Sequence, residues 1–229
     1  MAGPATDGRT FVLGDGREVR LSGVEVGSPS QDDTGAAGNR SRQHLQSQVA
    51  GNMVMLGGSG DRDRYGRLLA QVFVLKGNSE HWLQAEMVAS GHARVVASAD
   101  GPCTAALLRQ ERAARAGALG LWSDPYYVVR RAEEPAAVAR EQGRFAIVEG
   151  SVVSVRESGA TIYVNFGRRW SEDFTVTIAK RNERTFATAG LEPKRLAGRH
   201  VRVRGWIEER GGPLIEAVRP EQIEVMERR

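Results

Sequence analysis

Hydrophobic spacing along the chain switches between two periods, and the switches mark its elements. Thr10–Leu13 and Glu18–Val24 alternate on either side of Gly14-Asp15-Gly16, which predicts two short strands joined by a tight turn. Val19 and Leu21 then face one way, and Glu18, Arg20 and Ser22 the other. Gly27–Asn39 has no period and reads as a loop. Ser41–Ala50 carries Leu45 and Val49 at helical spacing, and Gly51 follows as a stop. Asn52–Leu56 reads as a strand. Asp61–Leu75 opens with charge, turns at Gly66, sets Arg67 just past the turn and runs into the apolar Gln71–Leu75, a predicted buried strand. Asn78 or Ser79 is the expected cap of a helix that carries Trp82, Leu83 and Met87 and stops at Gly91. After a short strand at Arg94–Val96, Pro102 suits the first turn of another helix. Its Leu107, Leu108, Ala114 and Leu119 form a stripe toward Trp122.

Beyond Ser123–Pro125 the pattern changes. Tyr126–Gly143 turns to Arg, Glu and Ala around Pro135, so the chain is expected as a domain over 1–123, a linker over 124–143 and a second domain over 144–229. In the second, Phe145–Arg156, Thr161–Phe166 and Asp173–Ile178 alternate as three strands. Phe186–Leu196 is a predicted helix, and Val201–Glu208 and Leu214–Met226 supply the last strands. Three strands, a helix and two strands is the order of an OB-fold, a small barrel that often binds oligonucleotides, although other small barrels share it. The expected class is α+β, mainly β with helices.

Composition narrows this picture only a little. The chain has 229 residues with a single cysteine, Cys103, so no internal disulfide and no cysteine metal cluster can form. His44, His81, His92 and His200 have no ligand spacing, which argues against zinc. No apolar run reaches the ~18 residues needed to span a bilayer. The net charge of +4 lies wholly in residues 144–229, a mild excess that fits a polyanion partner.

Candidate chemistry lies in three stretches taken in order: Asp7-Gly8-Arg9-Thr10, the strand Arg20-Leu21-Ser22-Gly23-Val24-Glu25, and Tyr65-Gly66-Arg67. With Gly-Ala-Leu-Gly-Leu-Trp closing a helix at 117–122, their order and wording resemble the staphylococcal nuclease family over residues 7–122. That resemblance implies an OB-like barrel with packed helices that cleaves DNA and RNA phosphodiesters with calcium. It implies two phosphate-holding arginines, here Arg20 and Arg67, with Tyr65 beside the second. Fixed guanidinium forks neutralise the charge that gathers in a pentavalent transition state. The family's acids fare worse. Its metal-binding aspartate is matched by Arg9, its next ligand by Glu25 and its catalytic glutamate by Ser28; Asp32 and Asp33 in the following loop are the acids that could substitute. A cation at Arg9 repels a divalent ion by roughly twice the ~4 kcal/mol that two unit charges feel at 4 Å and an effective dielectric of 20. Serine is no general base without an activating partner. The family also has a strand ahead of its Asp-Gly-Asp loop, whereas only Met-Ala-Gly-Pro-Ala-Thr precedes Asp7: either the barrel lacks that strand or the natural chain begins upstream. The chain as it stands is expected to be cytoplasmic, and secreted or periplasmic if a leader is missing.

Two readings of Arg9 stay open: a third guanidinium facing one phosphate, or a structural salt bridge to Asp7 or Glu25. In the second domain, Phe166, Arg168, Arg169 and Trp170 cluster at a strand end, and Arg202 and Arg204, alternating with Val201 and Val203, share the solvent face of one strand. Aromatics and cations together suit single-stranded nucleic acid, though Tyr163, Phe166, Phe174 and Trp206 also fit a core. The leading expectation is a nucleic-acid-binding protein on a degenerate nuclease scaffold, with no cofactor. The alternatives are a calcium-dependent phosphodiesterase using Glu25 with Asp32 and Asp33, and a protein- or glycan-binding scaffold.

Overall fold

A computed structural model describes residues 1–26, 36–97 and 101–226. The chain divides into two compact units, Met1–Tyr127 and Val128–Arg229, both α+β in composition.

In the first unit, β1 (Ala2–Ala5), β2 (Thr10–Leu13), β3 (Glu18–Leu21) and β4 (Val24–Glu25) precede α1 (Ala36–Val49) and β5 (Met53–Gly57). Then come β6 (Leu68–Lys76), β7 (Ser79–Trp82), α2 (Leu83–Ala89), β8 (Arg94–Val95) and α3 (Gly101–Ala116). The strand order is β1-β2-β3-β6-β5. β3 and β6 run parallel, and the other neighbours are antiparallel. The Ala2 N–H donates to the Asn52 carbonyl at 2.9 Å, which links the two ends of this path. Val19 and Leu21 are buried with Phe11, Leu45, Val72, Leu83 and Met87 in one core. Arg20, between Val19 and Leu21, therefore faces outward.

Three expectations change here. The strand ahead of Asp7 is present: Ala2–Ala5 pairs with β2, and Ala2 and Ala5 are buried. Where a helix cap is expected at Asn78 or Ser79, Gly77 turns with φ 59°, and β7 pairs back on β6. Residues 79–82 are thus strand, and α2 starts only at Leu83. Leu119 lies outside the α3 stripe at 45 % exposed, because the helix ends at Ala116.

The second unit contains β9 (Arg130–Arg131), α4 (Pro135–Ala139), β10 (Phe145–Ser151), β11 (Ser154–Ser158), β12 (Thr161–Asn165) and β13 (Thr175–Ala179). It continues with α5 (Glu183–Thr188), β14 (His200–Trp206), β15 (Glu208–Glu209), β16 (Pro213–Glu216) and β17 (Ile223–Val225). Its sheets are β17-β14-β10-β9 and β11-β12-β13-β16-β15. β11 follows β10 closely and β15 follows β14, so the main strands form a circuit: first, second, third, fifth, fourth and back to the first. Its third and fifth strands, β13 and β16, are parallel. The first unit follows the same path, with α1 in the place of α5. The stretch expected as a linker contributes Ala132 and Val138 to the buried core of the second unit, and β9 pairs with β10. The helix expected over Phe186–Leu196 is shorter and earlier, since Gly190 takes φ 78° and breaks it. Among the described residues no helix is long and apolar enough to cross a membrane.

Candidate functional site

Strand register builds the site of the first unit. Arg20 on β3 sits directly opposite Thr10 on β2, and its guanidinium donates to Thr10 Oγ1 at 3.4 Å. Paired positions across a ladder share a face, so both belong to the outward side of the sheet. The turn ahead of β2 folds on itself: the Arg9 N–H donates to Asp7 Oδ1 at 2.7 Å. Asp7 Oδ2 then lies 3.6 Å from Arg20 Nη1. Gly8 is required in that turn, because a Cβ there would lie 2.8 Å from Val26 Cγ1. The Arg9 side chain reaches across to β4, where Nη1 donates to the Val24 carbonyl at 3.0 Å and forms an ion pair with Glu25.

Arg67 is held by its own turn. The Asp63 carboxylate accepts the Tyr65 N–H at 2.9 Å, the Arg67 N–H at 3.1 Å and Arg67 Nε at 2.7 Å. The guanidinium lies 4.9 Å from the Tyr65 ring centroid, and Arg64 lies 4.8 Å from the same ring. Tyr65 remains 65 % exposed. Burial, then the charges of Arg9 and Arg67, hold Arg20 below the usual arginine range, while Asp7 and Glu25 pull the other way. The charges of Arg9 and Arg67 thus both reach Arg20. Arg9 makes the salt bridge to Glu25, the second of its two readings, and its charge also acts on Arg20.

A family model described as "Staphylococcal nuclease homologue" matches residues 18–124. "Protein ParB" of Escherichia coli is 34 % identical over 128 residues, 53 % of this chain and 71 % of that protein. The chain belongs to the staphylococcal nuclease family. Membership supports a nuclease-family or nucleic-acid-binding function for the first unit. Calcium typically serves this family, and the donor set can be tested for it. Among the described residues no group of three or more His, Cys, Asp or Glu side chains comes together, and the Glu25 carboxylate is engaged by Arg9. A hard cation wants about six to eight oxygen ligands, so these residues do not fit one. Ser28, Asp32 and Asp33 lie outside the described residues.

The second unit of this nuclease-family chain redistributes its candidates. Phe166 is core, 5 % exposed and packed against Phe174 with ring centroids 5.0 Å apart. Arg202 and Arg204 do not form a solvent face. Both are buried, Arg202 Nε donating to Glu149 at 2.9 Å and Arg204 pairing with Glu224. The reason is position: β14 is an interior strand between β10 and β17, whose Glu149 and Glu224 stand opposite Arg202. Trp206 is half exposed rather than core. Arg169 is exposed and paired with Glu172 at 3.0 Å.

Trp170 and Arg168 instead border a cavity of about 850 Å³. Its other walls include Asn165, Tyr163, which the sequence also allowed as core, and Arg156, Thr175 and Arg210, which sequence reasoning passed over. A signal was present in the alternation of Ile162-Tyr163-Val164, which sends Tyr163 away from the core that Ile162 and Val164 enter.

Proposed function

We propose that the protein binds the phosphate backbone of single-stranded or flexible nucleic acid and has little or no nuclease activity. The observation that carries this reading is Arg20, only 17 % exposed, fixed by Thr10 and Asp7 and acted on by the charges of Arg9 and Arg67. Like charges gathered on one outward face are relieved by an anion, and a phosphodiester supplies one that guanidinium forks match. The same contacts argue against hydrolysis. Glu25 is bound to Arg9 and Asp63 to Arg67. Asp7 accepts the Arg9 N–H, so each acid in the site already serves an arginine. We take the second unit as an OB-type module on the same partner, on the strength of its strand circuit.

The test is to incubate the full chain with a labelled single-stranded oligonucleotide and calcium, following retention and product length together. Retention with the oligonucleotide uncut is expected. Calcium-dependent cleavage that disappears in an Arg67→Ala variant would replace this reading with that of a working phosphodiesterase.

A further inference from the structure

The outward face of the second unit holds a site of its own. The strands that carry Arg20 and Thr10 in the first unit are the third and second of the circuit. In the second unit those strands are β13 and β12, and their outward residues floor the cavity described above. The floor is a polar row in register. Ser154 pairs with Asn165, and Asn165 pairs with Thr175. Asn165 Nδ2 donates to Ser154 Oγ at 3.3 Å, and Thr175 Oγ1 donates to Asn165 Oδ1 at 3.5 Å. One step along, Arg156 stands opposite Tyr163, and Tyr163 opposite Thr177.

The walls add flat rings and positive charge. Trp170 is 75 % exposed and Tyr163 36 %, large apolar surfaces that nothing covers among the described residues. Trp170 lies over the bare backbone of Gly211, where an added Cβ would stand 3.8 Å from the ring. Arg156 and Arg168 border the cavity and have no acidic partner among the described residues. Arg210 pairs with Glu208 at 2.8 Å. The acid that lines the cavity, Glu157, is already neutralised by Lys180 at 2.9 Å and Lys194 at 2.8 Å. The site is therefore basic, open, floored by amide and hydroxyl groups and walled by two rings.

We infer that this cavity is a second nucleic-acid site, which takes unpaired bases against Tyr163 and Trp170 while Arg156 and Arg168 neutralise the adjoining phosphates. It rests on the proposed function in sharing its ligand class, but it uses none of the same residues. Charge decides the occupant. A neutral oligosaccharide would use the rings and the polar floor but leave two arginines without a counter-charge. A single strand satisfies all three features, since every base has a face to stack and every linkage an anion.

The test uses the full chain with fluorescein-labelled oligothymidylate of fifteen nucleotides, and maltohexaose in a parallel arm. Tyr163→Ala and Trp170→Ala should each weaken oligothymidylate binding about fivefold or more, with the melting temperature unchanged. Tyr163→Phe should keep the affinity, because it keeps the ring. The losses should persist in an Arg20→Ala/Arg67→Ala background, which separates this cavity from the site of the first unit. Affinity indifferent to the Tyr163→Ala/Trp170→Ala double variant would overturn the inference. So would maltohexaose quenching Trp170 emission where oligothymidylate does not.

Discussion

Arg9 and Glu25 form an ion pair across the first unit, the guanidinium reaching from the turn before β2 to a carboxylate side chain only 7 % exposed. The Glu25 carboxylate is thus engaged by a basic side chain. Removing one partner of a buried pair leaves the other uncompensated, so the pair also constrains what can be changed there.

The first prediction follows from it. Arg9→Asp would release Glu25 and place a third carboxylate beside Asp7. Without calcium this variant should melt lower than the parent, since three acids then repel. With calcium at about a hundred times its dissociation constant it should recover about 2.7 kcal/mol. The parent chain should show no calcium-dependent shift. Thermal melts with and without the ion decide it.

A second prediction concerns β14. Arg204 is 1 % exposed and paired with Glu224. Arg204→Ala should cost about 3–5 kcal/mol, because it removes a fully buried charge partner and strands Glu224, whose side chain is only 11 % exposed. Denaturant unfolding followed by circular dichroism measures this. Arg168→Ala, an exposed change, should stay within about 0.5 kcal/mol in the same experiment.

The two arginines of β14 show what sequence could and could not reveal. Strand alternation gave β2, β3, β6, β12 and β13 and put Arg20 on the outward face, because burying one face of a sheet forces a period of two. The same rule assigned Arg202 and Arg204 to solvent and failed. Their acids, Glu149 and Glu224, are brought in by strand pairing between distant segments, which a local pattern does not encode. β1 was hidden for a different reason: Ala-Gly-Pro-Ala has no alternation, and only its pairing with β2 makes it a strand. Motif wording singled out Arg20 and Arg67 as candidates, while the cavity beside Tyr163 emerges only when three strands lie in register.

Acid stability supplies a third prediction. His44 and His92 stack with ring centroids 4.3 Å apart. Burial, then the charges of His44 and Arg40, push His92 from 6.5 down to about 4. Burial and Lys76 lower His44 as well, against Glu86. A depressed histidine is neutral in the fold and takes its proton more readily once unfolded. Its contribution is whole above pH 6.5 and is lost as pH falls through that value toward about 4. Melting temperature recorded from pH 7 to pH 4 should therefore decline, and His92→Phe should flatten the decline.

The core also separates two aromatics that look alike in sequence. Phe166→Ala should cost about 3–5 kcal/mol through the cavity it leaves. Trp206→Ala, at half exposure and in edge contact with Phe145, should cost clearly less. Equilibrium unfolding of the two variants side by side gives the comparison.

The salt dependence of oligonucleotide affinity tests the grip on phosphate most directly. Log affinity against log salt should fall linearly for the parent chain. The slope should shrink by about 0.7 for each phosphate contact removed from a single strand. Arg20→Ala/Arg67→Ala should therefore flatten it by about 1.4 while the fold melts as before. An unchanged slope in that double variant would contradict the account.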